Sequence, residues 1–338
     1  MPSYFSKSVQ YILMLGIGVF LMWLVFKDVD TALIWKGFSE ARYEWIALAL
    51  GVSLAAHYSR AVRWKLLMEP LGYSPSNFRT FLAVMTGYFA NSLLPRAGEV
   101  SRCYVLKRTD HVPFNIAFGS VVAERVIDVV CLFLMTGLAF VVEFDFISSF
   151  VQTHIFKTSS SGSTQQYFPI LVGFSALGIL FLLLFRFRKA LLRFSIIQKI
   201  WSFVLGLWDG MTSVVQLKRR WEFLFHTVFI WFCYFLMMYI IFYSLPSTAG
   251  LGLKAALVVM VVGGFGMSAP VTAGMGAYHF MVAAALHIYG VSTEQGKIFA
   301  IISHSSQTLS LLLIGGICAL ISFGITVTPK PITSPTNE

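Results

Sequence analysis

The chain has 338 residues, of which 57% are hydrophobic, 16% aromatic and only 12% charged, against about 25% charged in an ordinary soluble domain. With 25 Lys plus Arg and 15 Asp plus Glu it cannot wet the surface of a soluble protein this size. A soluble enzyme, a DNA-binding protein and a secreted disulfide scaffold are therefore excluded, and an integral membrane protein remains. The net charge of +10 then reads as basic residues collected in cytoplasmic loops beside anionic lipid, with no nucleic acid involved.

A membrane crossing needs about 20 apolar residues. Residues 9–26 form the first expected span, retained because no small-residue cleavage site follows it. Residues 45–63 form the second, with Arg60 and Arg63 expected to snorkel from its end. Residues 81–95 are apolar but short, ending in Asn91-Ser92-Leu93-Leu94-Pro95-Arg96-Ala97-Gly98 and running into a basic segment that reaches Arg108. Residues 116–142 are a span, the Ser/Thr/Gly-rich stretch 145–166 an outer loop, and 167–185 a further span. Between 187 and 217, Leu191, Phe194, Trp201, Leu205 and Trp208 recur among Arg188, Lys189, Arg193 and Lys199 as in a basic amphipathic helix at the headgroup level. Residues 223–245 cross again. The run 255–288 is too long for one crossing and is broken by Gly263, Gly264, Gly266, Pro270, Gly274 and Gly276. Residues 298–323 close the series, and 326–338 form a cytoplasmic tail.

Pro and Gly free backbone groups that lipid cannot satisfy, so each break must face protein or water. Two re-entrant hairpins, about 79–108 and 255–289, are the expectation. With six full spans and both termini cytoplasmic, 19 of the 25 Lys and Arg fall on the cytoplasmic side. A full crossing at 81–95 would instead export the cluster from Arg96 to Arg108, against the positive-inside bias. The expected fold is thus an all-α polytopic membrane protein with six spans and two oppositely oriented hairpins. Its halves, 1–144 and 167–325, have the form of an inverted repeat: Leu94-Pro95-Arg96-Ala97-Gly98-Glu99 resembles Ala269-Pro270-Val271-Thr272-Ala273-Gly274.

Glu99, Arg102, Glu124, Arg125 and Asp128 stand out, because an ionised side chain at membrane depth costs roughly 2.5–3.5 kcal/mol. They must face one another, a cavity or the interface. Two readings stand side by side. In one, Arg96, Arg102 and Arg125 bind the phosphate of a charged headgroup while the carboxylates balance charge. In the other, the same groups are salt bridges fixing the hairpin to the next span. The second hairpin offers Gly274, Gly276, Tyr278 and His279, with His304 and Gln307 on the following span. A helix beginning after Gly276 favours an anionic group, and His279 is either a titrating residue or one satisfied by backbone.

The cysteines at 103, 131, 233 and 318 are scattered with no metal-ligand spacing, and Asp28-Val29-Asp30 reads as interfacial charge. No GxSxG, HExxH or Walker pattern occurs, so no catalytic residue, metal or cofactor is expected; an intramembrane transferase using Glu99, Glu124 or Asp128 stays as the enzymatic alternative, with nothing pointing to a donor substrate.

The segment Leu94 to Arg102 and the later Val121-Val122-Ala123-Glu124-Arg125-Val126-Ile127-Asp128 resemble the lysylphosphatidylglycerol synthase transmembrane-region, or flippase-like, family. Gly274-Met275-Gly276-Ala277-Tyr278-His279-Phe280 looks like the Gly-rich motif of that family. Many relatives carry a basic and an acidic residue where Tyr278 and His279 stand, so no charge-pair role transfers to them. The resemblance implies lipid handling: in bifunctional relatives this region moves aminoacylated phospholipid while a separate domain makes it. Only a short tail follows Phe323, so a stand-alone member is expected and the aminoacyl transfer does not carry over.

The expected function is translocation of an anionic or headgroup-modified lipid across the bacterial inner membrane, with membrane lipids as partners. The competing expectations are a secondary transporter of a small anion and a non-catalytic membrane partner of a lipid- or glycan-synthesis enzyme.

Overall fold

The computed structural model describes residues 16–27, 29–94, 96–144 and 217–325. The outer loop, the span at 167–185, the tail and nearly all of the interfacial segment expected at 187–217 lie outside the described residues. Within them the chain is all-helical.

In chain order the helices are α1 Gly16–Phe26, α2 Thr31–Glu40, α3 Tyr43–Met68, α4 Asn77–Leu93, α5 Ala97–Asp110, α6 Phe114–Val142, α7 Arg220–Phe242, α8 Leu253–Ser268, α9 Ala277–Ile288 and α10 Thr293–Gly324. Three of the described helices, α6, α7 and α10, are long and apolar enough to cross a membrane. Helix α3 has the length, but Glu44, Arg60, Arg63 and Lys65 dilute its hydropathy. Helix α2 was not expected. Asp30 starts it: its Oδ1 accepts the backbone N–H of Ala32 at 2.9 Å, satisfying one of the donors a helix N-terminus leaves open.

The chain divides by its internal packing into two units, 1–125 with 216–338, and 126–215. The described part of the second is 126–144, chiefly the C-terminal portion of α6. In the first unit α3 lies along α7 and touches α4; α4 packs on α5 and on α10; α8 packs on α9, and α9 on α10. The interrupted stretches 79–108 and 255–289 therefore become two helical hairpins, α4–α5 and α8–α9.

Each hairpin depends on close backbone approach, the usual way helices associate where apolar burial discriminates little. At the α4–α5 crossing, a Cβ on Gly98 would overlap the Gly87 carbonyl and the Asn91 side chain. Asn91 Oδ1 also accepts the Gly98 N–H at 2.7 Å, closing the turn. Below the crossing, Trp64, Met68, Ala83, Cys103, Leu106 and Val121 form a buried core shared by α3 to α6. In the second hairpin the turn before α9 runs through left-handed residues, Ala273 at φ 50°, Gly274 at 69° and Gly276 at 77°. Glycine reaches such angles without the Cβ penalty, and Gly276 also sits too close to Leu21 of α1 to carry a side chain.

Candidate functional site

Glu124 is the centre of the charged cluster and is fully buried. Its Oε1 accepts from Arg60 Nη1 at 2.8 Å and from Arg63 Nη2 at 3.2 Å; its Oε2 accepts from Arg102 Nη1 at 2.8 Å. Three helices meet there. Arg60 and Arg63, three residues apart, share one face of α3; Arg102 comes from α5 and Glu124 from α6. The two α3 arginines thus do not snorkel to the interface as expected. A carboxylate on α6 competes for them, and charge-assisted hydrogen bonds in a dry core are worth more than hydration at the rim.

Aromatic side chains frame the cluster. The Arg102 guanidinium lies 4.7 Å from the Trp64 ring centroid, while Trp64 Nε1 donates to Ser120 Oγ at 2.8 Å. Arg63 stands over Phe223, and Arg60 Nη2 reaches the Tyr234 hydroxyl at 3.1 Å. Arg102 is only 4% exposed. Its Nε and Nη2 nevertheless have no hydrogen-bond partner among the described residues. A buried guanidinium with two idle donors is costly unless something arrives to use them.

The other expected site residues divide around this centre. Glu99 Oε1 accepts from Arg125 Nη2 at 3.0 Å in a more exposed pair beside the cluster, and Glu99 Oε2 is buried without a partner among the described residues. Arg96, at φ 64°, is exposed at the turn that starts α5. Asp128 lies one turn beyond Glu124 on α6, in the other packing unit.

The second hairpin builds a separate, uncharged cluster. His279 Nδ1 accepts the Gly276 N–H at 3.3 Å, and His304 Nε2 donates to the Ala273 carbonyl at 2.8 Å. The two imidazoles face each other with centroids 4.8 Å apart. The Tyr278 hydroxyl meets Ser303 Oγ at 3.2 Å, and Phe26 of α1 meets the His279 ring edge-on. Both histidines thus hold the glycine-rich turn, one from within α9 and one from α10. Gly274 and Gly276 shape the turn, and Tyr278 and His279 sit buried behind it. Among the described residues no group of three or more His, Cys, Asp or Glu could hold a metal ion.

Sequence reasoning passed over Arg60 and Arg63 as partners of Glu124. The available signal was their spacing of three on a helix that also carries Trp64, which sets both heads on the face turned toward α6.

The family model for the lysylphosphatidylglycerol synthase TM region matches residues 11–315, which include both hairpins and the whole Arg–Glu cluster. The chain belongs to this family. It is also similar to a UPF0104 membrane protein of Methanocaldococcus jannaschii, 31% identical over 34% of this chain and 37% of that protein. A second UPF0104 membrane protein, from Methanothermobacter thermautotrophicus, is 32% identical over 23% of each chain. The chain thus spans well under half the length of these curated relatives. No solved structure matches it. A membrane protein of this family is accordingly the identity that composition, fold and family agree on.

Proposed function

We propose that the protein translocates an anionic or headgroup-modified lipid across the cell membrane, without a covalent step. The observation that carries this reading is Arg102, buried yet holding two unused donors beside Arg60, Arg63 and Glu124. A phosphate oxygen is the natural acceptor for such a fork. Glu124 supplies the counter-charge that keeps the arginines tolerable when no ligand is present. The idle Glu99 Oε2 is an acceptor for an amine or hydroxyl on the headgroup.

In this reading α4–α5 and α8–α9 are re-entrant hairpins from opposite faces, within six spans. Helix lengths support it. At 1.5 Å per residue, the 17- and 14-residue arms of the first hairpin reach only about 26 and 21 Å, short of a hydrocarbon core of about 30 Å. The arms of the second, 16 and 12 residues, are shorter still. An inverted repeat is supported by succession: α3, α4–α5, α6 in one half and α7, α8–α9, α10 in the other, each a long helix, a short-armed hairpin and a long helix. The boundaries 1–144 and 167–325 follow from that pairing. The basic excess supports cytoplasmic termini, and the setting is a prokaryotic cell membrane, bacterial in the expectation above.

Reconstitution decides what is moved. Proteoliposomes should transfer labelled phosphatidylglycerol between leaflets faster than phosphatidylcholine, and should release neither trapped phosphate nor sulfate. Release of the soluble anions without lipid movement would replace the lipid reading with a small-anion transporter. No movement of any of them would leave the membrane-partner role.

A further inference from the structure

We propose that a groove along the outside of the first hairpin binds one acyl chain of an anionic lipid. The groove encloses about 410 Å³ between α4, α5 and the C-terminal end of α10, within the size range of small-molecule sites. Its walls are built from two facing stripes. On α4, Thr86, Phe89, Ala90 and Leu93 recur at helical spacing; on α5, Ala97, Val100, Ser101 and Tyr104 do the same. These are faces that the hairpin crossing at Gly87 and Gly98 leaves unused. The Ser101 hydroxyl is spent within its own helix, donating to the Ala97 carbonyl at 2.8 Å. Apart from the Thr86 hydroxyl, buried without a partner among the described residues, and the Tyr104 hydroxyl, the walls are apolar. Leu93, Val100 and Phe323 are each more than half exposed, so none of the described residues fills it.

The occupant follows from charge and setting. The groove ends at Phe323, whose carbonyl accepts from Arg108 Nη2 at 2.7 Å and whose ring lies 5.4 Å from the same guanidinium. Arg108 and Lys107 form the exposed last turn of α5. An apolar trench that ends beside the Arg108 guanidinium matches an amphiphile with one long chain and an anionic head. In a membrane protein flanked by α10, that amphiphile is a phospholipid. The site is distinct from the Arg102 cluster, which lies in the core side of the same hairpin. It deepens the lipid reading by giving the cargo's tail a seat while its head exchanges toward Arg102. Occupancy itself is read without any transport step.

The test is photolabelling of the full-length protein in nanodiscs containing phosphatidylglycerol with a diazirine on its acyl chain, mapped by peptide mass spectrometry. Adducts should concentrate on Phe89, Leu93 and Val100 above the exposed side of α7 at Phe225, Val228 and Phe232, the reference for ordinary annular lipid. Val100→Trp, a change at a half-exposed position, should remove the groove adducts and leave those on α7. Arg108→Glu should cut the preference for phosphatidylglycerol over an equally labelled phosphatidylcholine roughly fivefold. Groove labelling no denser than on α7, or unchanged in Val100→Trp, would overturn the proposal. So would equal labelling by the two lipids in the unaltered protein. If Val100→Trp does not fold, the Arg108→Glu comparison decides alone. Because Arg102→Gln should abolish translocation while leaving this labelling intact, failure of the groove and failure of the headgroup site are separable.

Discussion

Replacing Glu124 by Gln keeps the shape of the side chain and removes its charge. In the structure that charge accepts three guanidinium hydrogen bonds, two on Oε1 and one on Oε2, with Glu124 fully buried and Arg60, Arg63 and Arg102 all at or below 5% side-chain exposure. The amide can accept on one atom only, and its NH2 faces a cation. Breaking a buried ion pair by removing one partner costs about 3–5 kcal/mol, because the surviving charge is left uncompensated. At roughly 2 °C per kcal/mol for a large domain, Tm should fall by about 6–10 °C. The control is Glu99→Gln, which removes a pair whose arginine is 44% exposed; partly exposed pairs are worth about 0–1 kcal/mol. Thermal unfolding in detergent, followed by tryptophan fluorescence at a fixed scan rate, measures both. A Glu124→Gln protein within about 2 °C of the parent, or a Glu99→Gln protein that falls as far, would refute the assignment of Glu124 as the electrostatic keystone.

Three further outcomes are expected. Gly98→Ala should destabilise by about 1–3 kcal/mol or block folding, since its methyl meets the Gly87 carbonyl, and unchanged thermal stability would contradict the close crossing. His304→Phe should speed hydrogen exchange across 273–276, because it strips the Ala273 carbonyl of its donor at a cost of about 1–3 kcal/mol; unaltered exchange would mean the turn holds itself. Reporter fusions ending after Gly72 and after Arg108 should report the same side of the membrane, and opposite sides would turn α4–α5 into a crossing.

Local signals made much of this architecture readable. The hairpin turns announce themselves through Pro95 and through Gly274 and Gly276, whereas the helix starts at Ser76 and Ser292, whose hydroxyls accept the N–H groups of Arg79 and Gln295, were passed over. What stayed hidden was pairing across distance. Arg60 and Glu124 are 64 residues apart, and nothing local tells a snorkelling arginine from one that turns inward to a carboxylate on another helix. The same limit applies to Arg102 and Glu99: three apart on α5, one serves Glu124 and the other Arg125. Helix α2 went unseen because its apolar pattern is short and its stop-start neighbours, Asp28 and Asp30, read as interfacial charge.

The most direct measure of the central claim is leaflet-to-leaflet movement of labelled phosphatidylglycerol in proteoliposomes carrying either the parent protein or Arg102→Gln. The account predicts movement by the parent and its loss in Arg102→Gln at the same protein density. Equal rates for the parent and Arg102→Gln, with both proteins folded, would contradict it.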